Sequence, residues 1–442
     1  MKKQFFDDQV LLRSPTAVKL YEQIKDLPII DYHCHLDQSK IKANAKFSDI
    51  GELWLAGDHY KWRAMRMCGV DEQYITGDAA FREKFIKYAE IMPQLIGNPL
   101  YYFTHLELKQ IFGICEPLNA DSAEKIYNQA NEKLQTLSVL DLLRQFRVGY
   151  IATTDDPCDD LSAHGRYGDT TVAPTFRPDK AYAPDEYNPK LESAVGRRIT
   201  TAEQYLGALV ERLDFFVSKG CRITDHGFER FPYSYIDDGT AEQLFAKRDN
   251  LSEQEKDQFF GWLLVKLTKE YAKRSLVMQL HFAVIRNNNA LMFERCGVDS
   301  GFDLIGEQQS VKDVVRFFNQ VKDGQRPQTI LYTLNDSNLA ALSCVTGAFR
   351  NVRMGAAWWF NDTLQGIRKN LQTVAEYSVL GTSPGMLTDS RSFSSYCRFD
   401  FFRRIVSDYV AEKVEAGEYD ENAAHHLLYN ICYANPKTFM NL

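Results

Sequence analysis

A chain of 442 residues runs past the size at which one hydrophobic core keeps growing, and predicts either a barrel with a large insertion or two domains. With 45% hydrophobic and 25% charged residues it has material for a core and for solubility, which excludes a disordered or fibrous protein. Its 52 basic against 59 acidic residues, a formal charge of −7 without a long basic cluster, exclude nucleic acid as a partner.

Near the N-terminus, Asp7, Asp8 and Arg13 interrupt any apolar stretch that could act as a signal-peptide core, so no export is expected. Short apolar runs bounded by turn or polar residues follow at 28–33, 148–154, 172–177, 221–226, 276–281, 328–334, 352–358 and 385–389, and read as eight strands. Their near-continuous apolar character suits a parallel sheet covered by helices on both faces. Helical stretches at 201–220, 252–274 and 310–324 follow the third, fourth and fifth strands, giving the repeated βα pattern of an α/β barrel. One gap, 37–147, is too long for a βα connection and holds amphipathic segments without a convincing strand. It predicts a helical subdomain inserted after strand 1, with residues 1–36 carrying that strand and 148–442 the rest of the (β/α)8 barrel and the C-terminal helices. Residues 155–195, rich in Pro, Asp, Tyr and Gly, read as loop around the short third strand.

The longest apolar run, 276–285, falls well short of the ~20 residues of a membrane helix, so no membrane association is expected. The nine cysteines are odd in number, scattered and without a CxxC pair, which argues against a disulfide framework and a thiolate zinc site and fits a reducing cytoplasm. Nothing in the composition argues against self-association into a homo-oligomer.

The strongest local signal is IIDYHCHL, an apolar run ending in His33 and His35. Residues i and i+2 of a strand point to one side, so both imidazoles can converge on a divalent cation while Cys34 faces away. Chance spacing or structural packing is the competing reading of a bare HxH. Barrel context weighs against it, because the C-terminal strand ends of a (β/α)8 barrel face the active site. Two neutral imidazoles call for an anionic third ligand, and Asp389 ends the eighth strand, which in a closed barrel lies beside the first. A helix N-cap is the plainer alternative for Asp389. Arg391, two residues on, would face the same cavity.

Asp225 and His226 close the fourth strand and His281 the fifth, at the same rim. Both histidines read equally as metal neighbours or substrate contacts and as satisfied strand-end residues. Arg286 suits a carboxylate or the surface. Trp358 and Trp359 suit the wall of a ligand pocket or the core. His425 and His426, in a C-terminal helix, read as surface or packing residues.

The combination of YHCHL, LAGDHYKWRAM at 55–65, TFRPD at 175–179, a WWF segment and LTDSRSF resembles the uronate (glucuronate) isomerase family of the amidohydrolase superfamily, over nearly the whole chain. The resemblance implies a distorted (β/α)8 TIM-type barrel of the metal-dependent hydrolase kind. It also implies one divalent metal, usually zinc, on His33, His35 and Asp389, with His59, Tyr60 and Arg391 acting on the substrate and Arg177 meeting the sugar acid. Without it, His59, Tyr60 and Arg177 would pass as packing or surface residues. The implied substrate is a hexuronate, D-glucuronate or D-galacturonate, converted to D-fructuronate or D-tagaturonate by C2 to C1 proton transfer through a cis-enediol. A metal-dependent hydrolase on the same scaffold competes with this, as does a non-enzymatic metal or carbohydrate binder. The fourth strand ends in Thr224, Asp225 and His226 with no lysine to bridge a second metal, which favours a single ion.

Overall fold

The computed structural model describes residues 5–442. Among these residues eleven strands form: β1 (Ile29–Asp31), β2 (Val148–Ala152), β3 (Gly165–Tyr167), β4 (Thr170–Ala173), β5 (Thr175–Phe176), β6 (Ile223–Gly227), β7 (Val277–Phe282), β8 (Val284–Ile285), β9 (Leu304–Ile305), β10 (Gln328–Thr333) and β11 (Val352–Met354). They order as β1-β2-β4-β3 in one sheet and β11-β10-β7-β6-β5 in another, with β8-β9 apart. All pairings are parallel except the β3–β4 and β8–β9 hairpins.

The two larger sheets are one run of strands interrupted at Pro174, which separates β4 from β5 and has no N–H to give a ladder. Across the break, Asp155 N–H donates to the Thr175 carbonyl and Arg177 N–H to the Asp155 carbonyl, at 3.1 and 3.0 Å. The expected third strand, 172–177, is therefore two short ones.

At the other edge, residues 385–389 do not form the expected eighth strand. Gly385 and Asp389 have φ of +72° and +47°, which break an extended ladder. The segment still lies along β1, with Asp389 N–H donating to the His33 carbonyl and His35 N–H to the Ser390 carbonyl. Thr388 N–H and hydroxyl both donate to the buried Asp31 carboxylate at 2.9 and 2.6 Å. No backbone hydrogen bond joins it to β11 among the described residues.

Helices Ala202–Ser218, Glu253–Lys273, Val311–Asn319, Leu339–Ala348 and Leu364–Tyr377 punctuate the strands. Thr201, Ser252 and Thr363 cap three of them through side-chain oxygens that accept first-turn N–H bonds. The stretch read as loop at 155–195 contains a helix, Pro184–Val195. Its start is Pro184 followed by Asp185 and Glu186, and its stop is Gly196 at φ +69°. Residues 37–147 contain helices and no strand, including His59–Met67, Phe81–Ile91 and Pro99–Glu107. Their apolar faces (Trp54, Met65, Phe85, Tyr88, Phe103) join the same buried cluster as residues of the β6–β7 region. Among the described residues no helix is long and apolar enough to cross a membrane.

Candidate active site

A cavity of about 600 Å³ opens where β1, β5, β7 and the 389–391 turn end. His33, His35, His59, Arg177, His281, Arg286, Trp358, Trp359, Asp389 and Arg391 all line it. At its floor, Asp389 Oδ1 lies 3.2 Å from His33 Nε2 and 3.1 Å from His35 Nε2. A tetrahedral ion with bonds of about 2.0 Å spaces its ligand atoms by about 3.3 Å, so both distances from the carboxylate oxygen match edges of such a polyhedron. Two imidazole nitrogens and a carboxylate oxygen are also the right chemistry for zinc or a similar divalent ion. The positive φ of Asp389 turns its side chain back over the two rings, so the residue acts through a turn and not as a strand end or helix N-cap. Its second oxygen accepts the Trp358 indole N–H at 2.8 Å. Trp358 is buried against the His281 ring and so orients the carboxylate as well as walling the pocket.

Behind the histidines sits Asp225, fully buried, which accepts from or pairs with three groups. His281 Nδ1 is 2.6 Å from one oxygen, while Arg177 Nη1 at 3.2 Å and His33 Nδ1 at 3.9 Å face the other. Its pKa is held well below the usual carboxylate range: burial opposes this, and Arg177 and His281 outweigh burial. Asp389 is likewise depressed, its two histidines overcoming burial. Burial pulls His281 down to about 4 and lowers His59 and His35, leaving these imidazoles neutral and able to act as ligands or acceptors. His33, Asp225 and His281 form a second buried group with metal-ligand spacing.

His226, one residue past Asp225, points the other way, as alternation along β6 requires. Its Nδ1 is 2.6 Å from the Tyr182 hydroxyl, and it does not line the cavity. The strand-end pair thus divides into an inward acid and an outward, structural histidine.

Arg177 donates Nε to Asp179 at 2.7 Å, and its Nη2 lies over Gly227, where a Cβ would stand 2.3 Å away. Arg391 pairs with Asp299 at 2.7 Å. Arg286 is 3.6 Å from Asp303 and 5.5 Å above the Trp359 ring. Asp299 belongs to the 286–305 excursion around the β8–β9 hairpin. Sequence reasoning missed both that hairpin and Asp299, because nothing local marks a long connection as returning to the site.

His59 and Tyr60 reach the site from helix His59–Met67. Asp58 caps that helix by accepting from Tyr60 N–H and Lys61 N–H, and its carboxylate also receives the buried Lys61 ammonium at 2.7 Å. The two rings stack at 4.6 Å between centroids. Both ring nitrogens of His59 and the Tyr60 hydroxyl are buried without a hydrogen-bond partner among the described residues. His59 lines the cavity and Tyr60 stands behind it. His425 and His426 lie on helix Glu421–Tyr429, away from the cavity, with His425 beside Glu421 and Gln23.

Parallel strands with a two-histidine, one-carboxylate donor set that could hold a divalent metal ion, beside three arginines in one cavity, define the class: an α/β fold with a polar, enzyme-like site. Within that class, the chain belongs to the glucuronate isomerase family, whose sequence model matches residues 1–440. It is 41% identical to a uronate isomerase of Caldanaerobacter subterraneus subsp. tengcongensis, over the full length of both chains. It superposes on the crystal structure of a uronate isomerase from Thermotoga maritima with a TM-score of 0.96 at 33% identity, covering 99% of this chain and 100% of that one. A glucuronate isomerase from Caulobacter crescentus matches with a TM-score of 0.93 at 26% identity, covering 99% and 97%.

Proposed function

We propose that the protein interconverts D-glucuronate and D-fructuronate, and D-galacturonate and D-tagaturonate, moving a proton from C2 to C1 through a cis-enediol in hexuronate catabolism. The observation that carries this reading is the meeting, in one cavity, of the His33–His35–Asp389 donor set with Arg177, Arg286 and Arg391. An aldose-to-ketose shift needs a base near C2, a proton relay near C1 and positive charge for the developing oxyanion.

His33, His35 and Asp389 would hold one divalent ion, zinc by their chemistry, which when bound supplies Lewis acidity and a seat for the sugar acid's carboxylate and adjacent hydroxyl. Asp389 begins abstraction at C2, directly or through a substrate hydroxyl that it deprotonates. Tyr60 and Arg391 stabilise the enediol oxygens. His59 offers two ring nitrogens without protein partners to the sugar, and Arg177 and Arg286 complete a cationic wall. Trp358 and Trp359 enclose the substrate and keep water out. His281, fixed by Asp225, presents Nε2 toward the same space.

The strand order is read as a distorted (β/α)8 barrel. Side chains of β1, β2, β4, β6, β7 and β10, with Leu387, meet in one interior cluster, and residues 385–391 stand in for the eighth strand. Residues 37–147 act as an inserted helical lobe that delivers His59 and Tyr60. A cytoplasmic enzyme that forms a homo-oligomer is in keeping with its nine free cysteines and exposed apolar residues such as Leu291 and Val298.

Metal analysis and a glucuronate assay on the same purified sample test the proposal. About one divalent ion per chain and ketose formation are expected. Hydrolysis of a dipeptide or nucleoside panel without any ketose would overturn it.

A further inference from the structure

Arg398, the second residue of helix Cys397–Glu415, is 2% exposed and does not line the cavity. Burying a guanidinium costs several kcal/mol unless it is well paired. Here the nearest described carboxylate is Asp362, at 3.8 Å, and the Arg398 Nε has no partner. Its contacts lie elsewhere. Nη1 donates to the Thr388 carbonyl at 3.0 Å, immediately before Asp389, and the guanidinium carbon stands 5.0 Å from the Tyr60 ring centroid and 4.7 Å from that of Phe103. A cation at this range over an aromatic face is attracted to it, more strongly when both are out of water. The ring it faces carries a buried hydroxyl that no protein group satisfies.

We propose that Arg398 is a positioning residue for the isomerisation, acting through Tyr60: it holds the phenol ring by its face and, through the Thr388 carbonyl, locks the turn that carries Asp389 into the same frame. This rests on the assignment of Tyr60 to the reaction. The cation at the ring face draws electron density from the phenol and so strengthens its O–H as a donor to a developing oxyanion. The carbonyl bond sets the distance between that donor and the Asp389 carboxylate. Since Arg398 does not reach the cavity, substrate affinity has little to lose when it is replaced.

A double-mutant cycle separates this from ordinary packing. Arg398→Met, Arg398→Lys, Tyr60→Phe and both double variants are assayed with D-glucuronate at saturating metal, with Tm and bound metal measured for each. Arg398→Met is expected to lower kcat by about 30-fold with KM within about threefold, and Arg398→Lys to recover part of the loss, since it keeps the charge but not the planar fork. In the Tyr60→Phe background, either Arg398 change should cost clearly less than in the parent, the remainder being the share that acts on the Asp389 turn through the Thr388 carbonyl. Equal losses in both backgrounds, a loss confined to KM, or a lysine variant as impaired as methionine would overturn the proposal. If Arg398→Met does not fold, the Arg398→Lys cycle alone decides by the same criterion. A fully active Tyr60→Phe would mean instead that Tyr60 has no part in the reaction. A disabled Tyr60→Phe with additive Arg398 losses would remove Arg398 alone.

Discussion

The strand-borne and helix-borne halves of the site are prepared in different ways. His33, His35, His281, Arg177, Asp225 and Asp389 come from strand ends and the turn beside β1, and are already bonded to one another. His59 and Tyr60 come from the helical stretch, and the ring nitrogens of one and the hydroxyl of the other have no hydrogen-bond partner among the described residues, although the helix that presents them is capped by Asp58 and backed by buried Lys61. A buried polar group without a partner costs stability, so such groups mark the places where a substrate completes the network. One half is a largely bonded frame, in which His33 Nδ1, Asp225 Oδ2 and His281 Nε2 alone of its buried atoms lack a hydrogen-bond partner among the described residues, and the other is an open set of donors and acceptors.

Four substitutions probe that division, the largest effect first. Asp389→Asn removes a ligand charge and a base together, and turnover should fall by at least about 10³-fold with the fold retained, measured by initial rates beside circular dichroism. Near wild-type turnover would end the assignment of Asp389. Asp225→Ala leaves Arg177 with Asp179 as its remaining ion-pair partner and the buried His281 without its acceptor. Chemical denaturation should then show a loss of about 3 kcal/mol, and an unchanged midpoint would mean that the strand frame does not depend on this carboxylate. Tyr60→Phe should show the reverse signature: turnover lower by about 10²-fold, with Tm equal to or above that of the parent, because a hydroxyl without a partner is removed. A clear drop in Tm would show that the hydroxyl is used in the resting fold.

The smallest effect concerns His105, which shares the helical stretch with His59 but is fully bonded. Leu118 N–H donates to its Nε2 at 3.1 Å, and its Nδ1 meets the Tyr101 carbonyl at 2.7 Å. Burial pulls its pKa down to about 4. The unfolded chain, with an ordinary histidine value near ~6.5, binds this proton first as pH falls. Stability from neutral His105 is therefore complete above ~6.5 and lost as pH drops toward about 4, by about 2 kcal/mol at pH ~5. His226 and His281 add to the same acid sensitivity. His105→Gln, which keeps a donor and an acceptor, should narrow the Tm difference between pH ~5 and ~8. An unchanged difference would assign the acid sensitivity to the other two.

How much of this could be read from sequence follows the same division. His33 and His35 were legible because their i, i+2 imidazoles end the first apolar run, where barrel geometry puts the rim of the site. Alternation along β6 could have separated Asp225 from His226, but only knowledge of which residue faces inward shows Asp225 to be the hub. Asp389 was found through an expected eighth strand that does not form. What brings it to His33 is the backbone bonding of its turn to β1. His59 and Tyr60 had no periodic signal and came from the resemblance alone, since a helix N-terminus facing a cavity looks in sequence like any other. The helix Pro184–Val195 was hidden by its prolines, although Pro184 and Gly196 are ordinary start and stop residues. The Asp299–Arg391 pair joins positions 92 residues apart through a long excursion, and no local pattern encodes it.

The most direct test is prolonged incubation with D-glucuronate in heavy water at saturating metal, followed by proton NMR. Transfer through a cis-enediol is expected to carry solvent deuterium into C1 of the ketose and C2 of the aldose as the two approach equilibrium. Unchanged glucuronate, or a ketose in which both C1 hydrogens are still protium after equilibration, would contradict it.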